Sequence, residues 1–527
     1  MLAGFLNINY TTILKTEILC VFLAIAFISS SQEKKRVDIL NADYLEADEN
    51  IASNAQRLVG NVEIRHKEML MWADSAYTYT GTNRVDAFGN VHINQADTLD
   101  IYAQKIYYNG DNSFARAIGD VRLIKDETTL YSDTVDYDLL NNIGYYDNYG
   151  KIVDSTNVLS SVIGKFFMDQ DLVHFYEDVE GYSDDYTLES DTLLYETKTG
   201  RMFIVGPTTI KDSSNTLYAE DGWYDTETGE AELRKNPLVY NEVQQLEANL
   251  IKYHEKEGDG KALGAVRIHD FENRTIVKGE TAVYNDINEK ATVADSALLI
   301  MYSEKDTLFM HADTLRTIPD TIPGEKLIKA FYGVRFYRSD IQGIADSLVY
   351  FTKDSVVRLY NNPVIWSEIH QLSADFIEMK QNTDGPDELH LNKNSFIISN
   401  QDSGRFDQIK GKEMIGYVVN SELETIDVDG NGQTLYYARE EENIIGLNRA
   451  ESSKISILFR DGKIYRILFL SKPIGELKPL FDLTEEEKRL SGFDWKIELR
   501  PVSKYDVFKR SPLPPPSPEN KNAFLNN

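Results

Sequence analysis

The sequence predicts an all-β fold, an elongated array of antiparallel strands built from units of about 29 residues. Three observations predict it. A glycine-led phrase recurs at nearly constant spacing, an Asp-containing phrase follows it, and the residues between alternate apolar and polar. A fixed period of this length is typical of repeat architectures, in which each unit buries its apolar face by stacking on its neighbours. We therefore expect one long body instead of three or four globular domains.

The glycine phrase is clearest in three N-terminal copies, Gly60-Asn61-Val62-Glu63-Ile64, Gly89-Asn90-Val91-His92-Ile93 and Gly119-Asp120-Val121-Arg122-Leu123. The series continues at positions 150, 178, 206, 236 and 264, with Asp178 and Asn236 in place of glycine, so the steps are 29, 30, 31, 28, 28, 30 and 28 residues. A recurring glycine indicates a turn or bulge that needs positive φ or a close approach of two strands.

The second phrase lies about fourteen residues after many of the glycines, as in Ala73-Asp74-Ser75-Ala76-Tyr77 and Ser190-Asp191-Thr192. It has two interpretations. The aspartates of successive units hold a ladder of calcium ions, or they accept hydrogen bonds at turns. The ladder needs glycine-rich nonapeptides, which the sequence lacks, so turn capping is favoured. A calcium-like phrase at 427–432 has Ala438 at its twelfth position, where an EF-hand needs Glu, and favours a hairpin turn.

Between these phrases the residues alternate with a period of two. Val62 and Ile64 point to one side, and Glu63 and Arg65 point to the other. This pattern, interrupted by Gly, Asn and Asp, predicts two or three short strands in each unit with one face buried. Only residues 483–490 have a helical pattern.

The first 31 residues predict a secretory signal peptide. Lys15 precedes an apolar run at 18–28, and serines follow the run. Eleven apolar residues are too few to span a bilayer, so cleavage is favoured over an uncleaved anchor helix. Cys20 is the only cysteine and lies inside the run. The exported chain would therefore contain no thiol for a disulfide or a thiolate metal site.

The remaining boundaries follow from composition. We expect the repeat body at 32–450, either continuous or divided into two or three tandem modules. Residues 451–510 lose the repeat and carry 13 Lys/Arg against 10 Asp/Glu, whereas the first 450 residues carry 41 against 74. We therefore expect a C-terminal cap at 451–510, followed by a disordered Pro-rich tail at 511–527. The net charge of −30 excludes nucleic acid as a partner.

Catalytic motifs do not occur in the sequence. Its eight histidines form no His-Glu-x-x-His pair, and neither a Gly-x-Ser-x-Gly elbow nor a phosphate loop ending in Gly-Lys-Ser/Thr occurs. With 85 carboxylates in the chain, a neighbouring pair of them says nothing about acid–base chemistry. We expect no enzymatic activity, no cofactor and no metal.

The glycine and Asp phrases, together with the signal sequence, resemble the OstA-like family, which includes the lipopolysaccharide-transport protein LptA. The resemblance rests on residues 60–64, 73–77, 89–93 and 132–137 and later copies, and covers roughly 40–440. It implies a β-jellyroll, an open twisted sandwich whose apolar interior holds acyl chains. The chain is longer than familiar members, so it looks like a lengthened, Bacteroidetes-type version of the periplasmic module.

The resemblance implies a non-enzymatic periplasmic conduit that carries lipopolysaccharide from the inner to the outer membrane. Its partners would be lipid A and other transport-bridge components, which would pair with its edge strands. The lipid-lining residues would include Val62, Ile64, Val91, Ile93, Val121 and Leu123; an ordinary filled core is the alternative at these positions. The rival functions are a surface or extracellular β-repeat adhesin or structural protein, and a carbohydrate-active parallel β-helix.

Overall fold

The computed structural model describes residues 36–47, 54–96, 98–285, 287–320, 326–402, 404–419, 422–440, 443–460 and 463–509. The predicted signal peptide and the predicted tail at 511–527 lie outside these residues. The chain divides into two compact units, Met1–Asp171 (unit 1) and Leu172–Asn527 (unit 2).

Unit 1 is built from antiparallel strands in its described part. They are Asp38–Asn41 (β1), Tyr44–Ala47 (β2), Ala55–His66 (β3), Met69–Tyr79 (β4), Arg84–Gln95 (β5), Leu99–Asn109 (β6), Phe114–Lys125 (β7), Thr128–Asp138 (β8), Ile143–Tyr146 (β9), Gly150–Val153 (β10), Val158–Ser161 (β11) and Ile163–Phe167 (β12). A 3-10 turn, Met168–Gln170, follows β12.

Unit 2 continues with strands of the same kind. They are Leu172–Tyr182 (β13), Thr187–Glu196 (β14), Arg201–Ile204 (β15), Thr208–Lys211 (β16), Thr216–Ala219 (β17), Asp221–Asp225 (β18), Glu230–Arg234 (β19), Leu238–Tyr240 (β20), Gln244–Glu247 (β21), Leu250–His254 (β22), Asp259–Asp270 (β23), Thr275–Asn285 (β24), Lys290–Tyr302 (β25), Thr307–Pro319 (β26), Lys326–Tyr337 (β27), Gln342–Phe351 (β28), Val356–Tyr360 (β29), Val364–Ser367 (β30), His370–Ser373 (β31), Phe376–Lys380 (β32), Asp387–Asp402 (β33), Arg405–Val419 (β34), Glu422–Glu440 (β35), Asn443–Arg460 (β36), Lys463–Phe469 (β37) and Ile474–Lys478 (β38).

The only helices in the described ranges are short 3-10 turns, so the predicted all-β antiparallel fold class is confirmed. In unit 2 these turns are Glu255–Glu257, Leu480–Asp482, Ile497–Leu499 and Asp506–Phe508. Within the same ranges, none of the helices has the length and apolar character needed to cross a bilayer.

The recurring glycines lie where the strands bend. Gly60, Gly89 and Gly119 have φ of +77°, +77° and +83°, and the residue after each glycine is also left-handed. At each position the strand register shifts, for example between Val59 and Val62. Two consecutive left-handed residues insert a bulge that sharply turns the strand. The glycine phrase is therefore a strand-bending device, as the sequence predicts.

The recurring aspartates contact these bulges from a neighbouring segment. The side-chain amide of Asn61 donates to Asp43 Oδ2 at 3.0 Å, and that of Asn90 donates to Asp74 Oδ2 at 2.9 Å. A Cβ atom on Gly89 would lie 2.4 Å from Asp74 Oδ2, so the carboxylate occupies the space that a side chain would need. The described residues contain no group of three or more His, Cys, Asp or Glu arranged to hold a metal.

The bulges divide the long strands into two half-sheets. The first part of β8 pairs with β10 and its last part pairs with β9; in unit 2, β14 pairs in the same way with β16 and β15. In each unit, half-sheet A consists of the strand segments that directly follow a glycine phrase, together with the strand segments that pair with them. Half-sheet B consists of the strand segments on the other side of the bulges. Strands that change sheets at bulges are typical of sandwiches whose two inner faces form the core.

The predicted cap boundary at residue 451 falls inside β36, and β37 and β38 both pair with β36. After β38, residues 479–509 form no strand and cross the outer face of half-sheet A in unit 2; we call this segment the strap. Its backbone is held by glutamines of β34 and β31. Gln408 Nε2 donates to Lys488 O at 2.9 Å and its Oε1 accepts from Leu490 N at 2.8 Å. Gln371 bonds Asp494 O and Lys496 N in the same way, each at 2.7 Å.

The helix expected at 483–490 is wrong. These residues form a single turn, in which Thr484 and Glu487 cap each other: Thr484 N donates to Glu487 Oε2 at 2.9 Å, and Glu487 N donates to Thr484 Oγ1 at 3.3 Å. The turn does not extend because the Leu490 N–H, which would continue a helix, donates to Gln408 instead. Leu490 is 2% exposed and packs in an apolar cluster with Tyr437 and Leu447 on the outer face of half-sheet A.

Candidate apolar groove

The structure places the six predicted lipid-lining residues together on the inner face of half-sheet A in unit 1. Ile64, Ile93 and Leu123 lie in one row of paired residues, which reads Ile64, Met71, Ile93, Ile101, Leu123, Leu130, Ile152, Leu159. Val62, Val91 and Val121 lie in the next row, closer to the bulges. All six are between 0% and 1% exposed. Their contact with a lipid stays a prediction.

The interior of unit 1 is filled at this level by its own side chains. The facing row on half-sheet B reads Val85, Tyr108, Ala115, Tyr137, Gly144, Phe166. Leu123 reaches across to this row, because a Cβ atom on Gly144 would lie only 3.3 Å from Leu123 Cδ1. Tyr108 and Tyr137 are 3% and 1% exposed, and burial raises the pKa of both phenols.

Hydrogen bonds between hairpin turns of the two half-sheets close the mouth of unit 1, the side opposite the bulges. Tyr108 OH lies 2.5 Å from His66 Nδ1, and Lys67 Nζ donates to Ser113 Oγ at 3.1 Å. One repeat further, Gln95 Nε2 donates to Leu139 O at 3.2 Å. In the next repeat Lys125 Nζ bonds both Met168 O and the Asp171 carboxylate. We call these contacts the clasp.

Unit 2 contains a corresponding inner row on half-sheet A. It runs without interruption through nine paired residues: Ile210, Leu217, Val239, Leu246, Ile268, Val277, Leu299, Met310 and Phe336. The five central residues, from Leu217 to Val277, are half-buried, while the ends of the row are at most 9% exposed. These five pack against the main apolar cluster of unit 2 and also reach the surface.

The facing row on half-sheet B of unit 2 alternates large and small residues. It reads Tyr224, Ala231, Tyr253, Gly260, Tyr284, Ala291. Its three tyrosines are half-buried, and the rings of Tyr253 and Tyr284 stack with centroids 6.3 Å apart. Behind it lies a row of buried residues that includes Ile251, Ala262 and Ala282. We call the partly exposed apolar surface that these two half-buried rows form the apolar groove.

The hairpin turns beside this groove bond along each half-sheet. On half-sheet A, Asn241 Nδ2 donates to Asn215 Oδ1 at 3.1 Å and Gln244 Nε2 donates to Asp270 Oδ2 at 3.3 Å. On half-sheet B, Asn285 Nδ2 donates to Glu257 O at 3.0 Å. These contacts stiffen each wall without joining the two, in contrast to the clasp of unit 1.

The mouth of the groove is polar and largely acidic. Burial alone would raise the pKa of Asp270, but hydrogen bonds from Asn273 and Gln244 hold that pKa below its usual value. Its carboxylate therefore remains ionised at neutral pH. Glu255, Glu257 and Asp259 lie at one turn of half-sheet B, with Lys256 among them. The site combines an apolar floor with an acidic rim, which suits an apolar ligand whose polar end remains in water.

Sequence reasoning found the inner face of half-sheet A but missed the half-buried row of unit 2. The one available signal was the apolar alternation at 217, 239, 246, 268 and 277, which resembles the alternation of the buried rows. Nothing in that pattern shows whether the facing half-sheet covers a residue.

The strand pairing and the inner rows therefore define an antiparallel β-sandwich with an apolar interior. A family model described as OstA-like protein matches residues 34–191. The OstA-like resemblance predicted from the sequence is thus confirmed for that segment.

Solved structures also match the chain. One of them is described as LptH, the LptA homologous periplasmic component of the lipopolysaccharide transport device from Pseudomonas aeruginosa. It is 16% identical, with 20% of this chain and 79% of that chain covered and a TM-score of 0.19. No curated protein matches the sequence. The fold assignment rests on the strand pairing described above.

Proposed function

We propose that this protein is a non-enzymatic lipid carrier of the periplasm, which holds acyl chains of lipopolysaccharide during transport from the inner to the outer membrane. The half-buried inner row of unit 2 carries the proposal. It presents Leu217, Val239, Leu246, Ile268 and Val277 in unbroken register, and burial of one lipid CH₂ there contributes about 0.8 kcal/mol. Nine paired residues at about 4.8 Å spacing extend on the order of 40 Å.

The acidic rim indicates how the lipid is held. A phosphorylated headgroup is repelled by Asp270 and its neighbours, and by the net charge of −30. The tails therefore enter the groove while the headgroup stays in solvent. Binding of this kind needs no cofactor and no turnover, and the energy for movement comes from another protein.

Transport needs partners at both membranes, and the terminal strands supply candidate contacts. Side chains of β1 and β2 are exposed along both strands, with Tyr44 at 75% and Leu45 at 58%. Ile474 on β38, near the other end of the chain, is 76% exposed. We propose that edge strands of other bridge components pair with these ends. The OstA-like match at 34–191 supports this assignment over a surface adhesin.

Lipid extraction from the purified full-length protein tests the proposal. We expect lipid A in the extract, and at least about tenfold less from an Ile268→Asp variant, because a carboxylate in the row is costly to bury against an acyl chain. Val283→Asp is the matched control, since Val283 is 47% exposed and its side chain lies on the outer face of half-sheet B. Equal lipid in the two variants, or no lipid in the unchanged protein, contradicts the proposal.

A further inference from the structure

The strap ends on the outer face of β26. The ring of Phe508 lies 4.9 Å from that of His311, and Lys504 Nζ lies 5.7 Å from the ring centre of Phe309. Arg335, which is 3% exposed, fastens this end, since its Nε donates to Asp506 O at 3.1 Å and its side chain also donates to Leu499 O at 2.9 Å. The last described residue, Lys509, is thus fixed beside β26.

An apolar and aromatic surface continues from this point across β25, β24 and β23. We call it the outer patch; its residues are His269, Phe271, Ile276, Ile300, Tyr302 and Phe309. Four of them are paired in one row, His269 with Ile276, Ile276 with Ile300 and Ile300 with Phe309. His269 also holds its neighbours: its ring lies 4.2 Å from that of Phe271, and its Nε2 lies 2.8 Å from Tyr302 OH.

The outer patch continues the row of half-sheet A that the strap already covers. From Phe309 the row proceeds through Tyr337, Gln342, Trp366 and Gln371 to the strap-covered residues Ile398 and Gln408. Trp366 is fully buried beneath the strap, whereas Phe271 is 43% exposed and Ile276, Ile300 and Phe309 are half-buried. The covering segment and the uncovered surface therefore meet at β26.

The chain itself has a segment of the right length and chemistry to cover this surface. Eighteen residues, 510–527, follow Lys509 and lie outside the described residues. They include Leu513-Pro514-Pro515-Pro516, and proline-rich segments bind surfaces lined by aromatic side chains. At about 3.1 Å per residue the segment reaches on the order of 55 Å, while the patch spans three strand spacings, about 15 Å.

We propose that residues 510–527 dock on the outer patch and extend the strap across β25, β24 and β23. The contact goes beyond lipid carriage, because the patch lies on the outer face of half-sheet A, behind the wall that carries Ile268 and Val277. With residues 510–527 docked, the outer face of half-sheet A at β23–β25 would be covered, as the strap covers the outer face at β28–β35.

Thiol labelling of the full chain tests the proposal. In a Cys20→Ser background, which removes the only native cysteine, Ile300→Cys reports access to the patch. We expect a maleimide to label Cys at position 300 about tenfold faster when residues 510–527 are deleted. The triple change Pro514→Ser, Pro515→Ser, Pro516→Ser is expected to act in the same direction. Val283→Cys, on the outer face of half-sheet B, is the matched control and should label at one rate in all chains.

Three results would overturn the proposal. Labelling at position 300 that is unchanged by the deletion means that the segment does not cover the patch, as for a disordered tail. Protection that disappears on dilution means that a second copy supplies the segment. An equal acceleration at position 283 means that the deletion loosens the fold. Lipid extraction is a separate readout, so failure of this docking leaves the proposed lipid groove untouched.

Discussion

Unit 1 and the part of unit 2 from β16 to β27 have the same strand arrangement, but the side chains of their inner rows differ in exposure. In unit 1 the row containing Ile64, Ile93 and Leu123 is at most 1% exposed, and in unit 2 the corresponding Leu217, Leu246 and Ile268 are half-buried. Both rows are apolar and both face alternating Tyr and Ala or Gly residues. The difference lies at the mouth: the clasp joins the two half-sheets of unit 1, whereas the contacts of Asn241, Gln244 and Asn285 beside the groove of unit 2 each stay within one half-sheet.

The comparison indicates that the interiors of the two units have different roles. The filled interior of unit 1 stabilises the sandwich, as in an ordinary protein core. The half-buried rows of unit 2 leave apolar area that a ligand can cover. A lipid that entered unit 1 would have to displace Tyr108 and Tyr137 and break the clasp first.

The largest expected difference between the units is in the stability lost when a carboxylate is placed in the inner row of half-sheet A. Ile93→Asp should destabilise unit 1 by about 4 kcal/mol or more, because the carboxylate has no water and no partner at a position that is 0% exposed. Ile268→Asp should cost about 1 kcal/mol, because its carboxylate reaches water. The urea concentration at which each variant becomes sensitive to protease measures the difference. Similar midpoints for the two variants would remove the contrast between the units.

A pH-dependent effect is expected where the strap covers half-sheet A. Burial raises the pKa of Asp407 to about 6, although the Tyr437 N–H donates to its carboxylate at 2.9 Å. Since the folded pKa exceeds the unfolded value, the folded state binds more protons between pH 4 and 6. The contribution of Asp407 to the free energy of unfolding should therefore rise by about 2–3 kcal/mol as the pH falls from 7 to 4.

The Asp407→Asn variant isolates that contribution. Its melting temperature should exceed that of the unchanged protein at pH 7, and the gap should close towards pH 4. Asp429→Asn is the control, because Asp429 is 66% exposed and pairs with Lys454 at the surface. A gap that does not change with pH would show that Asp407 titrates normally.

A smaller effect is expected from opening the clasp. Tyr108→Phe removes the hydrogen bond to His66, and Lys125→Ala removes the contacts with Met168 and Asp171. Each change should cost about 1 kcal/mol of stability. Hydrogen exchange in β5–β7 should accelerate in the double variant, with exchange in β23–β25 unchanged as the internal control. Equal exchange in the double variant and the unchanged protein would mean that the clasp does not hold unit 1 shut.

The sequence predicts much of the fold because the bending device is local. Gly60 and Asn61 carry their left-handed backbone within two adjacent residues, and the 29-residue spacing repeats it along the chain. The strap was missed for the opposite reason. Arg335 meets Asp506 across 171 residues, and a glutamine that binds a distant backbone has no local pattern.

The six predicted lipid-lining residues lie in unit 1, outside the apolar groove, and their contact with a lipid stays a prediction. Val62, Ile64, Val91, Ile93, Val121 and Leu123 share one inner face, as expected from their period of two. The sequence does not predict how exposed the inner-row side chains are, because their exposure depends on how the facing half-sheet covers them. Tyr108 and Tyr137 in unit 1 and Tyr253 and Tyr284 in unit 2 stand in nearly identical Tyr-Ala-Gly rows, and only the first two are buried.

Photo-crosslinking tests the central claim most directly. A photoreactive amino acid replaces Ile268 in one full-length protein and Ile93 in another, and each is irradiated in cells that make lipopolysaccharide. We predict a lipopolysaccharide adduct from position 268 and none from position 93. An adduct from position 93 alone, or from neither position, would contradict the assignment of the lipid groove to unit 2.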